Sequence, residues 1–157
     1  MREILFRGKR KDNGEWVEGS LILTTSVKEK TYIVDSCYCY DGCIDEDGYA
    51  DFDRLNAFEV IPETVGQYTG LPDKNGTKIF EGDILKSESD EYIGVVKYNE
   101  IIASFVGEIN DTTPKFYHYS LLNKGDVSRT TQLKETVVIG NIHDNPELLK
   151  VGDENDT

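Results

Sequence analysis

Apolar residues in this 157-residue chain alternate with polar ones or gather in short runs, and no window sustains a helical period across three turns. The pattern predicts strands over Ile4–Lys9, Trp16–Leu23, Thr31–Val34, Ala57–Ile61, Ile79–Lys86, Tyr92–Tyr98, Ile101–Glu108, Phe116–Leu122 and Thr136–Ile142. A further short strand is expected just before Asn75-Gly76. These runs are rich in Ile, Val, Tyr and Phe, which suit a pleated, half-buried surface. Turn residues separate them: Asp12-Asn13-Gly14, Asp73-Lys74-Asn75-Gly76, Asn99-Glu100 and Asn123-Lys124-Gly125-Asp126. Asn-Gly accepts positive φ at low cost, as a tight hairpin requires. Two short helices are also expected. One covers Asp51–Phe58, with Phe52, Leu55 and Phe58 spaced along it; the other starts at Pro146 with Asn145 as its cap. The fold class is mainly β with a minor α component.

The chain divides near residue 62. Residues 1–62 form an N-terminal β subdomain: a Trp-bearing hairpin followed by an acidic, less regular insertion at about 35–56. Residues 63–150 supply about five strands joined by short turns, the number for a small closed or nearly closed barrel. Ile79-Phe-Glu-Gly-Asp-Ile-Leu85 looks like the first strand of an SH3-like barrel, with Gly82-Asp83 bending the chain. Such barrels host many functions, so the analogy speaks to fold alone. Residues 151–157 are a polar, acidic tail expected to be flexible.

Charge narrows the partners. The formal net charge is −13, unevenly spread. Residues 1–34 carry seven basic and five acidic groups (+2), residues 35–63 one and nine (−8), and residues 64–157 nine and sixteen (−7). Such a field repels phosphate backbones, so nucleic acid is disfavoured as a partner. No apolar run approaches the roughly 20 residues that span a bilayer. Arg2, Glu3 and Arg7 interrupt the N-terminus, unlike a secretory signal, and the cytoplasm is the expected compartment.

The candidate chemistry is thin. Cys37, Cys39 and Cys43 with Asp41 suggest a metal, but zinc sites pair their ligands in two knuckles, and His118 and His143 lie far along the chain. Packed thiols on one strand face are the plainer account, and no metal or cofactor is expected. Asp45-Glu-Asp-Gly-Tyr-Ala-Asp51 resembles the middle of a calcium loop, yet aligning Gly48 puts Cys43 and Arg54 at the end ligand positions. His143, after Gly140-Asn141-Ile142, suits a hydrogen bond holding the strand exit better than a proton shuttle. No phosphate loop, His-Glu-x-x-His pair or hydrolase elbow occurs, and no enzyme is expected. Arg2, Arg7, Lys9, Arg10 and Lys11, interleaved with Phe6 and Trp16, could take a single strand by stacking and phosphate contacts.

Three stretches carry a resemblance. Pro62-Glu-Thr-Val-Gly-Gln-Tyr-Thr-Gly-Leu-Pro-Asp-Lys-Asn-Gly-Thr-Lys-Ile-Phe-Glu-Gly-Asp-Ile-Leu-Lys86 closely resembles the signature of the YopX family, small proteins encoded by phages and prophages of Gram-positive bacteria. Ile4-Leu-Phe-Arg-Gly-Lys9, Gly14-Glu-Trp-Val17 and Val138-Ile-Gly-Asn-Ile-His-Asp-Asn-Pro-Glu-Leu-Leu149 match the same family. The family brings no established activity with it. Its matching residues Gly66, Gly70, Gly76, Gly82 and Gly140 fall where strands begin, bend or turn. Gln67, Asp73 and Asp83 suit turns and strand ends, as do Asn141 and Pro146 at the exit of the last strand. The expectation is a non-catalytic phage accessory protein, a homo-oligomer that contacts a phage or host protein. The alternatives are a nucleic-acid-acting protein using the basic hairpin, or an acidic mimic of nucleic acid.

Overall fold

A computed structural model of the chain describes residues 3–25, 29–35, 56–87, 93–101, 103–109, 119–120 and 136–149. The cysteine run, the calcium-like loop, His118 and the acidic tail lie outside the described residues. Two compact units result, Met1–Tyr68 and Thr69–Thr157. The division falls later than residue 62 because the next residues bond into the first unit. Lys9 donates its amide to Thr64 Oγ1 at 2.9 Å, and Tyr68 donates to the Leu5 carbonyl at 2.8 Å.

In the first unit the strands are β1 (Phe6–Lys9), β2 (Trp16–Thr24), β3 (Lys30–Val34), β4 (Ala57–Glu59) and the start of β5 (Gly66–Pro72), ordered β4-β3-β2-β1-β5. Alternation in β2 sets the faces: Val17 and Gly19 are buried, Glu18 and Ser20 exposed. One face gathers Val17, Ile33 and Val60 with Phe6, Leu21, Phe58 and Val65 into a core. Each such side chain contributes about 1.5–3 kcal/mol when fully buried. Gly19 stands opposite Phe6, and any Cβ there would run into the Val34 carbonyl oxygen. A glycine inside a strand can mark such a close backbone approach.

The second unit contains β6 (Lys78–Phe80), next to β5, and an antiparallel sheet ordered β10-β9-β8-β7-β11. Its members are β7 (Asp83–Ser87), β8 (Ile93–Asn99), β9 (Ser104–Ile109), β10 (Tyr119–Ser120) and β11 (Thr136–Asn141). The core is Ile79, Leu85, Val96 and Phe105, flanked by Leu71 and Val138. Tyr98 meets Phe105 edge-on at 5.3 Å. Single turns of 3-10 helix cover Pro62–Thr64 and Pro146–Leu149. The class is mainly β, in two antiparallel sheets. Among the described residues, β10 and β11 are the two ends of their ladder, and no pairing between them closes a barrel.

Three local expectations need correction. Ile79–Lys86 is two strands, because Gly82 takes a φ of +83° and turns the chain from β6 in one sheet to β7 in the other. Ala57 and Phe58 fall both in the strand expected over Ala57–Ile61 and at the end of the expected helix; the strand holds, since they pair with Val34 and Ile33 in β4. Ile101 lies in a turn, and β9 starts at Ser104. In both Asn-Gly turns the glycine alone takes positive φ, +75° at Gly14 and +86° at Gly76.

Candidate functional site

Pairing of β1 with β2 builds the basic hairpin. Lys9 stands opposite Trp16 and Arg7 opposite Glu18, so the alternation of strands places these four side chains on one face. Arg7 lies over the Trp16 ring, its guanidinium carbon 4.8 Å from the centroid, and Lys9 Nζ lies 5.7 Å from it. The indole thus already carries two cations of its own chain. An incoming base stacking there must displace them.

The rest of the cluster is split away. Arg10 sits over the Phe58 ring at 4.2 Å and donates to Asp12 at 3.0 and 2.6 Å, with Glu15 at 3.8 Å. The bonded Asp12 carboxylate raises the Arg10 pKa, and Arg10 lowers that of Asp12. Lys11 and Lys30 each donate to Glu59 at 2.8 Å, from elements far apart in sequence. Those two bonds, Lys11's first, draw the Glu59 pKa down to about 2. Arg2 lies outside the described residues. Of the expected cationic patch, the structure brings together Arg7, Lys9 and Trp16, and turns Arg10 and Lys11 toward carboxylates.

In the second unit Asp73 and Asp83 serve the backbone. Asp73 is 6% exposed. Its Oδ1 accepts from the amides of Asn75 and Thr77 at 2.8 and 2.9 Å, and its Oδ2 accepts from Val138 at 3.1 Å. Burial is the largest influence and pushes its pKa up; the amides of Val138, Thr77 and Asn75 more than reverse this, and the net shift is downward. One carboxylate therefore shapes the turn after β5 and ties it to β11, where the register shifts between Val138 and Gly140. Asp83 is fully buried, and its Oδ2 accepts from the Phe80 amide at 2.7 Å across the Gly82 turn.

The end of β11 follows the same plan. Asn141 Oδ1 accepts from the amides of His143 and Asp144 at 3.0 and 2.9 Å, so Asn141 shapes the exit expected of His143. Asn145 Oδ1 lies against Gly140, where a Cβ would come within 2.5 Å of it, and Pro146 opens the final turn. Gly66 pairs with Arg7 and Gln67 with Phe6, while Gly70 takes a φ of +86° within β5. Two residues escaped sequence reasoning. Gly19 was legible as a lone glycine in a strand; Glu59 was not, because its partners come from distant segments. Among the described residues no group of three or more His, Cys, Asp or Glu side chains could hold a metal ion.

Fold and site together define a mainly β protein of two antiparallel sheets, with many of its charged side chains bonded within the chain. It belongs to the YopX family, whose model, described as YopX protein, matches residues 5–150. The chain is also similar to the crystal structure of protein EF1440 from Enterococcus faecalis, at 22% identity and a TM-score of 0.52, covering 95% of this chain and 99% of that one. At that identity the likeness carries the fold. No curated protein matches.

Proposed function

We propose that this protein is a non-catalytic accessory module of phage or prophage origin, acting in the host cytoplasm as a homo-oligomer that contacts a phage or host protein. Its second unit is read as a small SH3-like barrel. One observation carries the proposal: polar side chains of the family-matching segments, Asp73, Asp83 and Asn141, accept hydrogen bonds from the chain's own backbone. They act as parts of the fold, and recognition falls to surfaces and strand edges. β10 ends its sheet among the described residues, and a terminal strand invites pairing with a second copy. Light scattering at about ten micromolar should find an oligomer, and a monomer at that concentration contradicts self-association. Capture from infected lysate, compared with uninfected lysate, then tests for a phage-encoded or host partner.

The grouping of Arg7, Lys9 and Trp16 on one face favours a second reading, single-stranded nucleic acid binding. Anisotropy of labelled oligonucleotides across a salt series separates the two. Binding at about micromolar concentration that weakens with salt and with Arg7→Ala plus Lys9→Ala makes the second reading correct.

A further inference from the structure

The chain carries two Asn-Gly pairs on exposed turns that can be compared atom by atom, Asn13-Gly14 and Asn75-Gly76. Asn-Gly is chemically labile. The glycine nitrogen attacks the asparagine Cγ, forming a C–N bond and losing its proton to solvent, while the Cγ–Nδ2 bond breaks and ammonia leaves. Water then opens the succinimide at either carbonyl, giving aspartate or isoaspartate. No oxidant or cofactor enters the balance. Glycine is the most permissive successor because no Cβ hinders the approach of its nitrogen.

The structure treats the two pairs differently. The Asn13 carboxamide is held at both ends by one residue: Nδ2 donates to Glu15 Oε2 at 2.7 Å, and Oδ1 accepts from the Glu15 amide at 3.0 Å. The nucleophile beside it, Gly14 N, donates to the Arg10 carbonyl at 2.9 Å. At the other pair only the Asn75 backbone amide is bonded, to Asp73 Oδ1. Its carboxamide makes no hydrogen bond among the described residues. Gly76 N is restrained by one bond to the Asp73 carbonyl at 3.1 Å. Ring closure at Asn75 needs that bond to open and the carboxamide to rotate, whereas closure at Asn13 must also break both Glu15 bonds.

We propose that Asn75 is a spontaneous modification site, which converts to aspartate and isoaspartate through Gly76, and that Glu15 shields Asn13 from the same reaction. The consequence follows from Asp73. Isoaspartate adds one atom to the main chain between residues 75 and 76, inside the loop whose amides, Asn75 and Thr77, face Asp73 Oδ1. Either product also adds a negative charge beside that buried carboxylate. Conversion therefore loosens the turn that Asp73 ties to Val138 on β11, and ageing of the protein weakens its second unit.

The test is to incubate the full-length protein at mildly alkaline pH and warm temperature and follow the one-dalton gain by peptide mapping. Asn75 should convert several-fold faster than Asn13. Glu15→Ala should raise the Asn13 rate several-fold and leave the Asn75 rate unchanged. The urea midpoint should fall as the wild-type protein ages, while an Asn75→Ala variant keeps its starting midpoint. Equal or faster conversion of Asn13 overturns the proposal. So does an Asn75 that stays intact over a period in which a short peptide of residues 72–79 converts, and an unchanged midpoint in converted protein overturns the loosening.

Discussion

The basic hairpin and the Asp73 turn use carboxylates in opposite ways. At the hairpin, Asp12 and Glu59 meet the flexible ends of Arg10, Lys11 and Lys30 at the surface, where water and salt compete for each partner. At the turn, Asp73 is buried and meets three backbone amides fixed by the course of the chain. A surface pair can be exchanged at little cost to the fold. A buried carboxylate bonded to the backbone specifies one conformation, and losing an acceptor there leaves backbone amides without the partner that shapes the turn. The lesson is that the charge catching the eye in this sequence lies in the first hairpin, while the charge that defines shape lies in the family signature.

The largest effect expected from a single change lies in the first unit. Gly19→Ala drives a Cβ into the Val34 carbonyl oxygen, and backbone cannot give way as a side-chain tip can. It should cost at least about 3 kcal/mol, read as a large fall in the urea midpoint. Gly140→Ala probes the second unit more gently. Its Cβ meets the Asn145 side chain, Oδ1 at 2.5 Å, Cγ at 2.9 Å and Cβ at 3.0 Å, rather than backbone, so about 1–3 kcal/mol is expected.

Acid sharpens the contrast. The Glu59 pKa falls from 4.5 to about 2 on folding, so its contribution is full above pH 4.5 and is lost as pH falls toward 2. The downward shift at Asp73 gives the same sign. Urea midpoints should therefore decline as pH drops through the carboxylate range. Glu59→Gln should remove part of that decline and change the neutral-pH midpoint least of all these variants, less still in high salt. A large loss at neutral pH would mean that the surface network matters to the fold as much as the buried one.

Much of this fold was legible because strand and turn signals are local. Alternation located β1, β2 and β3, and Asn-Gly marked the turns after β1 and β5. Where the local reading erred, a distant partner decided. At Ala57 and Phe58, expected both as strand and as a helix end, the ladder of Val34 and Ile33 decided for strand, and Gly82 split one expected strand by turning rather than bending. The site was less legible for the same reason. The Arg10–Asp12 pair spans two positions, but Lys11 finds Glu59 forty-eight residues away and Asp73 finds Val138 sixty-five residues away. Composition showed five cations near the N-terminus; only pairing shows that two of them, Arg10 and Lys11, are bonded to carboxylates.

The central claim is that the signature carboxylate Asp73 builds the fold, and Asp73→Asn tests it most directly. The substitution keeps shape and size but removes the charge and turns one acceptor oxygen into an NH2 facing a backbone N–H. Urea unfolding at neutral pH should show a loss of about 2–3 kcal/mol, well beyond that of Glu59→Gln measured beside it. A variant that unfolds at the wild-type midpoint while losing the capture of its partner would contradict the account and make Asp73 a recognition residue.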